Sequence, residues 1–365
     1  MLLRKNTNYN SPQEKGPAYV RLENVSKFFA TAKAVSQLTV CIAKGDFFSL
    51  LGPSGCGKTT TLRLIAGLDR PDEGRISING ETVAADNAWV LPENRGIGIV
   101  FQDYALFPHM TVAQNVAFGL KRYPREKAKE RVAQLLELTG LIGLGERYTH
   151  ELSGGQRQRV ALARSLAPSP RVVLLDEPFS NLDADLREEL RGETKRILKE
   201  QGTTAILVTH DQEEAFSLSD KVGVLNKGSL EQEGTPAEIY HHPCSKFVAD
   251  FVGKADFIEG QIKNDTVSSA FGTFPLPSDQ FRGTGQVEIM VRPDDVFFSL
   301  DATGESTITE ARFLGASVLY RLQFGNGPSI HAIRPSTEIY PVGARVRVKL
   351  DARHIVIFPN SCTRA

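Results

Sequence analysis

Five short apolar runs, Val20–Val25, Phe47–Leu51, Ile97–Phe101, Val172–Leu175 and Ala205–Thr209, are each closed by turn or polar residues and read as buried strands. Between them, Thr59–Ala66, Arg125–Leu138, Gln156–Leu166 and Ala184–Gln201 read as helices. Strands alternating with helices predict an α/β sheet over residues 18–252. The texture changes near Gly253. Phe257–Ile262, Gln286–Val291, Val296–Leu300, Ser317–Phe324, Arg345–Leu350 and His354–Phe358 are strand-like, with Gly, Pro and Asp between them and no long helical pattern. Residues 253–365 therefore predict a small, separate β barrel or sandwich. The opening segment, Met1–Pro17, is polar, lacks the apolar core of a signal peptide, and is expected to be a flexible tail.

Charge and cysteine usage narrow the partners. Lys plus Arg equals Asp plus Glu at 43 each, so no polybasic footprint for nucleic acid is present. The same balance argues against anchoring on anionic lipid by charge. Cys41, Cys56, Cys244 and Cys362 form no CxxC pair and no metal-site spacing, which is the pattern of reduced thiols in a cytosolic protein. No run approaches the ~20 apolar residues of a spanning helix, so any membrane work is expected to pass through a partner.

The first chemistry lies directly after Phe47–Leu51. Gly52-Pro53-Ser54-Gly55-Cys56-Gly57-Lys58-Thr59, followed by Thr60, fits GxxxxGK[ST] between a strand and a helix. Glycines let backbone N–H groups wrap phosphates, and the helix start adds its positive dipole end. Lys58 is placed to reach the β- and γ-phosphates of ATP, and Thr59 to offer its hydroxyl to Mg²⁺. Val172–Leu175 delivers Asp176 and Glu177 to a strand end. Asp176 is a candidate to hold Mg²⁺ through water, and Glu177 to polarise the attacking water. These two motifs alone leave kinases, GTPases, helicases and transport ATPases open.

Leu152-Ser153-Gly154-Gly155-Gln156, at the start of the helix Gln156–Leu166, resembles the signature sequence of ABC ATPases. Its order relative to the other motifs is similar to that family over nearly all of residues 18–250. Gln102 looks like the Q-loop glutamine, Ser180-Asn181-Leu182-Asp183 like the D-loop, and His210 like the switch histidine. Phe29, with Phe28 as its neighbour, sits where the family stacks an aromatic on adenine. The resemblance implies a P-loop NTPase core with a helical subdomain near residues 103–168. It also implies a head-to-tail dimer of two copies sandwiching two nucleotides. Ser153, Gly154, Gly155, Gln156 and Asp183 would then act on the other copy's ATP. By the same resemblance Glu177 is the general base, His210 contacts the γ-phosphate region, and Gln102 senses Mg²⁺ and γ-phosphate. Read without the family, Ser153 and two glycines at a helix start make an anion site, or simply a helix N-cap.

The segment after Gln102 displays Leu106, Phe107 and Met110. It resembles the stretch by which importer ATPases engage a cytoplasmic helix of the membrane permease, with a solute-binding protein reached only through that permease. The bland alternative is that these apolar residues pack the helical subdomain. Residues 253–365 resemble the TOBE-type extension of importer ATPases, an OB-like small barrel, with Arg292-Pro293-Asp294 as its Arg-Pro-acid turn. Leu91–Gly96, Arg147–Leu152 and Phe179–Asp183 look most like the ferric-iron importer ATPases. Polyamine, sulfate, molybdate and sugar importers share much of this text. A soluble ABC protein of translation or DNA repair is disfavoured by the single P-loop and the lack of a heptad run.

Overall fold

The structure, a computed structural model, describes residues 18–30, 32–263, 265–276, 284–351 and 355–359. The Met1–Pro17 tail, Cys362 and His354 lie outside these residues. Contacts divide the chain into two compact units at Pro236/Ala237.

The first unit opens with strands β1 (Val20–Phe29), β2 (Ala32–Ile42) and β3 (Phe47–Leu51), then helix α1 (Lys58–Ala66). Three strands follow, β4 (Glu73–Ile78), β5 (Glu81–Ala85) and β6 (Ala88–Trp89), then β7 (Ile97–Val100). Helices α2 (Val112–Ala117), α3 (Arg125–Leu138) and α4 (Gly154–Leu166) come next. The rest is β8 (Val172–Asp176), α5 (Ala184–Glu200), β9 (Thr204–Thr209), α6 (Gln212–Leu218), β10 (Lys221–Asn226) and β11 (Ser229–Gly234).

Two sheets result. One is six-stranded in the order β11-β10-β3-β9-β8-β7, parallel except for the β10–β11 pair. Its central strands are buried on both faces, which is why they read as continuous apolar runs. Alternate residues feed two cores. Phe47, Val173, Leu175, Ala205 and Leu207 face one cluster, while Phe48, Leu50, Val172, Leu174, Ile206 and Val208 face the other. The first cluster also takes Val112, Val116, Leu135 and Val160 from α2, α3 and α4, which make the helical subdomain. The second sheet, β2-β1-β4-β5-β6, is antiparallel. The run at Val20–Val25 belongs here and extends to Phe29, with Val20, Leu22 and Val25 turned inward. Because β3, β7, β8 and β9 are parallel, the loops that follow them leave one edge of the sheet together, where α/β folds place their sites.

The second unit holds α7 (Pro236–His241) and α8 (Lys246–Phe251) ahead of its strands. Strands β12 (Asp256–Lys263), β13 (Thr266–Ser269), β14 (Gly272–Pro275), β15 (Gly285–Val291) and β21 (Val356–Pro359) form one sheet, ordered β14-β13-β12-β15-β21. The other, ordered β16-β20-β17-β18-β19, uses β16 (Val296–Leu300), β17 (Ser306–Phe313), β18 (Ser317–Phe324), β19 (Ser329–Pro335) and β20 (Arg345–Leu350). Ile258, Val267, Val287 and Ile289 of the first sheet share one core with Phe298, Ile308, Tyr320, Leu322 and Ile330 of the second. Contacts divide the chain ahead of the composition break at Gly253, and Arg292 supplies the reason. Its buried guanidinium donates to the carbonyls of Tyr240, Ala249, Gly253 and Lys254, which fastens α7 and α8 to the end of β15.

Candidate nucleotide and catalytic site

β3 ends at Leu51 and the chain wraps through Gly52–Gly57 into α1. Gly57 takes φ +99°, and a Cβ there would come within 2.2 Å of the Ala34 carbonyl oxygen, so only glycine fits. Gly57 also gives α1 no side-chain cap. Gly52 is buried, Pro53 and Thr60 are half-buried, and Ser54, Gly55 and Thr59 are exposed. Lys58 is buried, and its ammonium donates to the carbonyls of Gly52 at 2.8 Å and Pro53 at 3.0 Å. The Cys56 thiol is buried beneath the loop. Burial pushes its pKa up, against the pull of Lys58. The far end of α1 is held by Arg95, which donates to the carbonyls of Leu64, Ile65, Val83 and Val90. Burial pulls its pKa down to about 10.

The strand ends meet at this edge of the sheet. Thr59 Oγ1 donates to Asp176 Oδ1 at 3.3 Å, joining the glycine loop to the end of β8. Burial pushes the Asp176 carboxyl up, the Thr59 bond opposes this, and the neighbouring Glu177 carboxylate adds to it. Glu177 adopts φ +43°, a left-handed conformation unusual for its type, while its N–H donates to Val208 at 2.9 Å. The turn brings Glu177 Oε2 to 3.1 Å from Nδ1 of His210, which follows β9. Ser180 Oγ donates to the Glu177 carbonyl.

Gln102 is exposed just past β7, and its carbonyl accepts from Asn181 Nδ2 at 2.9 Å. No hydrogen bond among the described residues joins the Gln102 side chain to Thr59 or Asp176. The Asn181 contact ties the loop after β7 to the D-loop, and sequence reasoning passed it over. It also passed over Arg191 on α5. This arginine pairs with Asp211 at 2.8 Å, Glu214 at 3.1 Å and Glu213 at 3.2 Å around the His210 corner. The only sequence signal was the acidic run that follows His210.

The Ser153 turn is built differently. Ser153 Oγ accepts from the Gln156 N–H, and Gln156 Oε1 accepts from the Ser153 N–H, a capping box that starts α4. Gly154 lies against Leu182, and Gly155 against Leu186 and Leu190, so Gly155 lets α4 approach α5 closely. No hydrogen bond or ion pair among the described residues joins Leu152–Gln156 to the loop of its own chain. Asp183 caps α5 by accepting from the Leu186 N–H. Phe29 and Phe28 are exposed at the end of β1, with Lys27 and Lys33 over their respective rings. Strand β2 abuts the glycine loop through the Ala34 carbonyl.

Beside Gln102, Asp103, Tyr104, Leu106, Thr149, Arg157 and Asn181 line a groove of about 420 Å³. Leu106 is partly spent on the helical core, and the Phe107 ring lies 4.3 Å from that of Phe118. Met110 is half-buried, and its carbonyl accepts from Asn115.

Comparison with known proteins decides the family. The ABC transporter family profile matches residues 35–180, and the TOBE domain profile matches residues 289–358. The sulfate/thiosulfate import ATP-binding protein of Thermosynechococcus vestitus is 45% identical over 86% of this chain and 89% of its own. The chain belongs to the ABC-transporter ATPase family. This ABC ATPase is also 42% identical to the spermidine/putrescine import ATP-binding protein of Rubrobacter xylanophilus, over 94% and 95% of the two chains. It is 40% identical to the Fe(3+) ions import ATP-binding protein of Brucella abortus, over 93% and 98%. Among solved structures it resembles the dimeric ATP-binding cassette MJ0796 in a post-hydrolysis state bound to ADP and Pi. That match has 33% identity and a TM-score of 0.53, covering 60% of this chain and 98% of the other. The nucleotide-binding ATPase core and the separate TOBE-type unit of the sequence reading are thereby secured. No helix among the described residues is long and apolar enough to cross a membrane.

Proposed function

We propose that this ABC ATPase powers a solute importer as a head-to-tail dimer closing on two ATP molecules. The observation that carries the reading is the Glu177–His210 contact beside the Thr59–Asp176 bond, at one sheet edge with the glycine loop. The loop N–H groups and Lys58 bind the β- and γ-phosphates, and Phe29 stacks on adenine. Thr59 and Asp176, a hydroxyl and a carboxylate 3.3 Å apart, are oxygen ligands that suit Mg²⁺ and would hold it, with Gln102 a further candidate from its loop. When bound, Mg²⁺ neutralises phosphate charge in the transition state. Glu177 takes the proton of the water that attacks the γ-phosphorus as the bond to the bridging oxygen breaks. His210 holds that carboxylate and the γ-phosphate region in place.

The Ser153 turn does not bond to its own glycine loop, which supports its use in trans. Ser153, Gly154, Gly155, Gln156 and Asp183 would meet the ATP of a second copy, and the dimeric state of the solved relative supports this pairing. The groove beside Gln102 suits a helix of a membrane permease, which would hold the subunit at the cytoplasmic face. A solute-binding protein would be reached only through that permease. For the solute, the Leu91–Gly96, Arg147–Leu152 and Phe179–Asp183 segments favour ferric iron. The identities favour the alternative, since sulfate relatives reach 48%, polyamine relatives 45% and a sugar relative 41%, against 40% for the iron relatives. Sulfate or polyamine uptake is therefore the stronger reading.

The test is Glu177→Gln. ATP binding should persist, turnover should nearly vanish, and an ATP-bound dimer should accumulate on size exclusion. Normal hydrolysis by that variant would overturn the base assignment.

A further inference from the structure

His210 is more than half exposed, and its imidazole meets Glu177. An exposed side chain on a loop is poorly placed for chemistry unless the backbone carrying it is fixed. Both neighbours of His210 are fixed. Thr209 is buried, its Oγ1 donates to Glu214 Oε2 at 2.6 Å, and it accepts from the Asp211 N–H at 3.0 Å. Asp211 Oδ1 in turn accepts from the Glu214 N–H and caps α6.

The three acidic side chains of this corner converge on one cation. Arg191 Nη2 donates to Asp211 Oδ2 and to Glu214 Oε1, and Nη1 donates to the exposed Glu213. Arg187 stands further off, 3.8 Å from Asp211. The Glu214 carboxylate is only 4% exposed, so without Arg191 it would be a buried charge answered by a single hydroxyl. It would then swing out toward solvent, and the Thr209 bond that fixes the turn would weaken.

We propose that Arg191 is a positioning residue for hydrolysis, setting the His210 turn through Glu214, Asp211 and Thr209. It sits two turns into α5, the helix that Asp183 of the D-loop caps. A shift of the D-loop on pairing with a second copy would therefore reach His210 along α5. Asn181 gives the same loop a hold on Gln102. The inference rests on the catalytic reading of His210.

The test is a double-mutant cycle in steady-state ATP hydrolysis with the full chain, using Arg191→Met and His210→Ala. Arg191→Met should lower kcat by roughly 10- to 100-fold, the range for a misplaced catalytic group, with KM for ATP within about twofold. In the His210→Ala background it should cause no further fall. Equal losses in both backgrounds, or an unchanged kcat in Arg191→Met, would overturn the proposal. Wild-type turnover by His210→Ala alone would instead remove the reading beneath it. Should Arg191→Met fail to fold, Thr209→Val carries the cycle. It removes the hydroxyl without altering charge, and it should show a smaller loss with the same dependence on His210.

Discussion

Arg95→Met tests how the helix that carries Lys58 is anchored. The guanidinium is 2% exposed and donates to four carbonyls, those of Leu64 and Ile65 near the end of α1, Val83 on β5, and Val90. Methionine fills much of the same space but donates nothing. At about 1 kcal/mol net for each bond to a buried carbonyl, the loss is about 4 kcal/mol. The cation resists its own burial, as its lowered pKa records. Removing it returns part of that cost, leaving a net of about 2–4 kcal/mol. For a unit of this size that is a fall of about 5–15 °C in midpoint. Scanning calorimetry of the full chain, without nucleotide, measures it. Arg95→Lys should recover little, because an ammonium cannot span four acceptors. Gly67→Ala should mimic the loss, since its Cβ would meet Arg95 Nε at 2.5 Å at a φ of +81°. A midpoint for Arg95→Met within about 2 °C of wild type would refute the accounting and show that water satisfies these carbonyls.

Three further predictions follow from the site. The Asp176 carboxyl is pushed above its ordinary 3.8, so the folded chain holds that proton more tightly than the unfolded one. Its contribution to stability therefore falls as pH rises through the carboxylate range. Asp176→Asn should raise the melting midpoint at neutral pH while removing Mg²⁺-dependent turnover, and pH-resolved melting checks the sign. Exposed Cys41 should be alkylated by a maleimide well before buried Cys56, whose thiolate is disfavoured, and peptide mass spectrometry over time gives the order. Ser153→Arg should bind ATP with near-normal affinity yet lose turnover. Mixing it with a Lys58→Ala chain should restore activity at one of the two shared sites, and no recovery would argue against action in trans.

The sequence was most legible where one residue type does one physical job. Glycines at Gly55 and Gly57 marked left-handed turns, and continuous apolar runs marked the doubly buried strands β3, β8 and β9. Helix α3 starts and stops where its pattern does. What stayed hidden depends on partners distant in sequence. Strand β11, Ser-Leu-Glu-Gln-Glu-Gly, lies at the sheet edge and carries too few apolar residues to stand out. In the second unit, β13, β14, β17 and β19 are short, polar or mostly exposed, and only pairing defines them. The left-handed Glu177 could not be read from a motif whose chemistry concerns its carboxylate. Arg191 and Arg95 carried no signal of their role, because nothing local in the chain reveals which carboxylates or carbonyls surround them.

The two glycine-bearing helix tips are not equivalent as anion receptors. At Gly57 the leading N–H groups of α1 have no side-chain oxygen to turn to, so a phosphate arriving there gains bonds that water alone would otherwise supply. At Ser153 the hydroxyl already satisfies the Gln156 N–H, so an incoming oxygen would find one backbone donor fewer and would be met chiefly by the Ser153 O–H and the remaining helix-start N–H groups. In the proposed dimer, loading on a lone subunit's glycine loop would therefore come first, and the grip contributed by the opposite subunit would be the weaker of the two. A clasp weaker on one side would let go once the terminal phosphate departs.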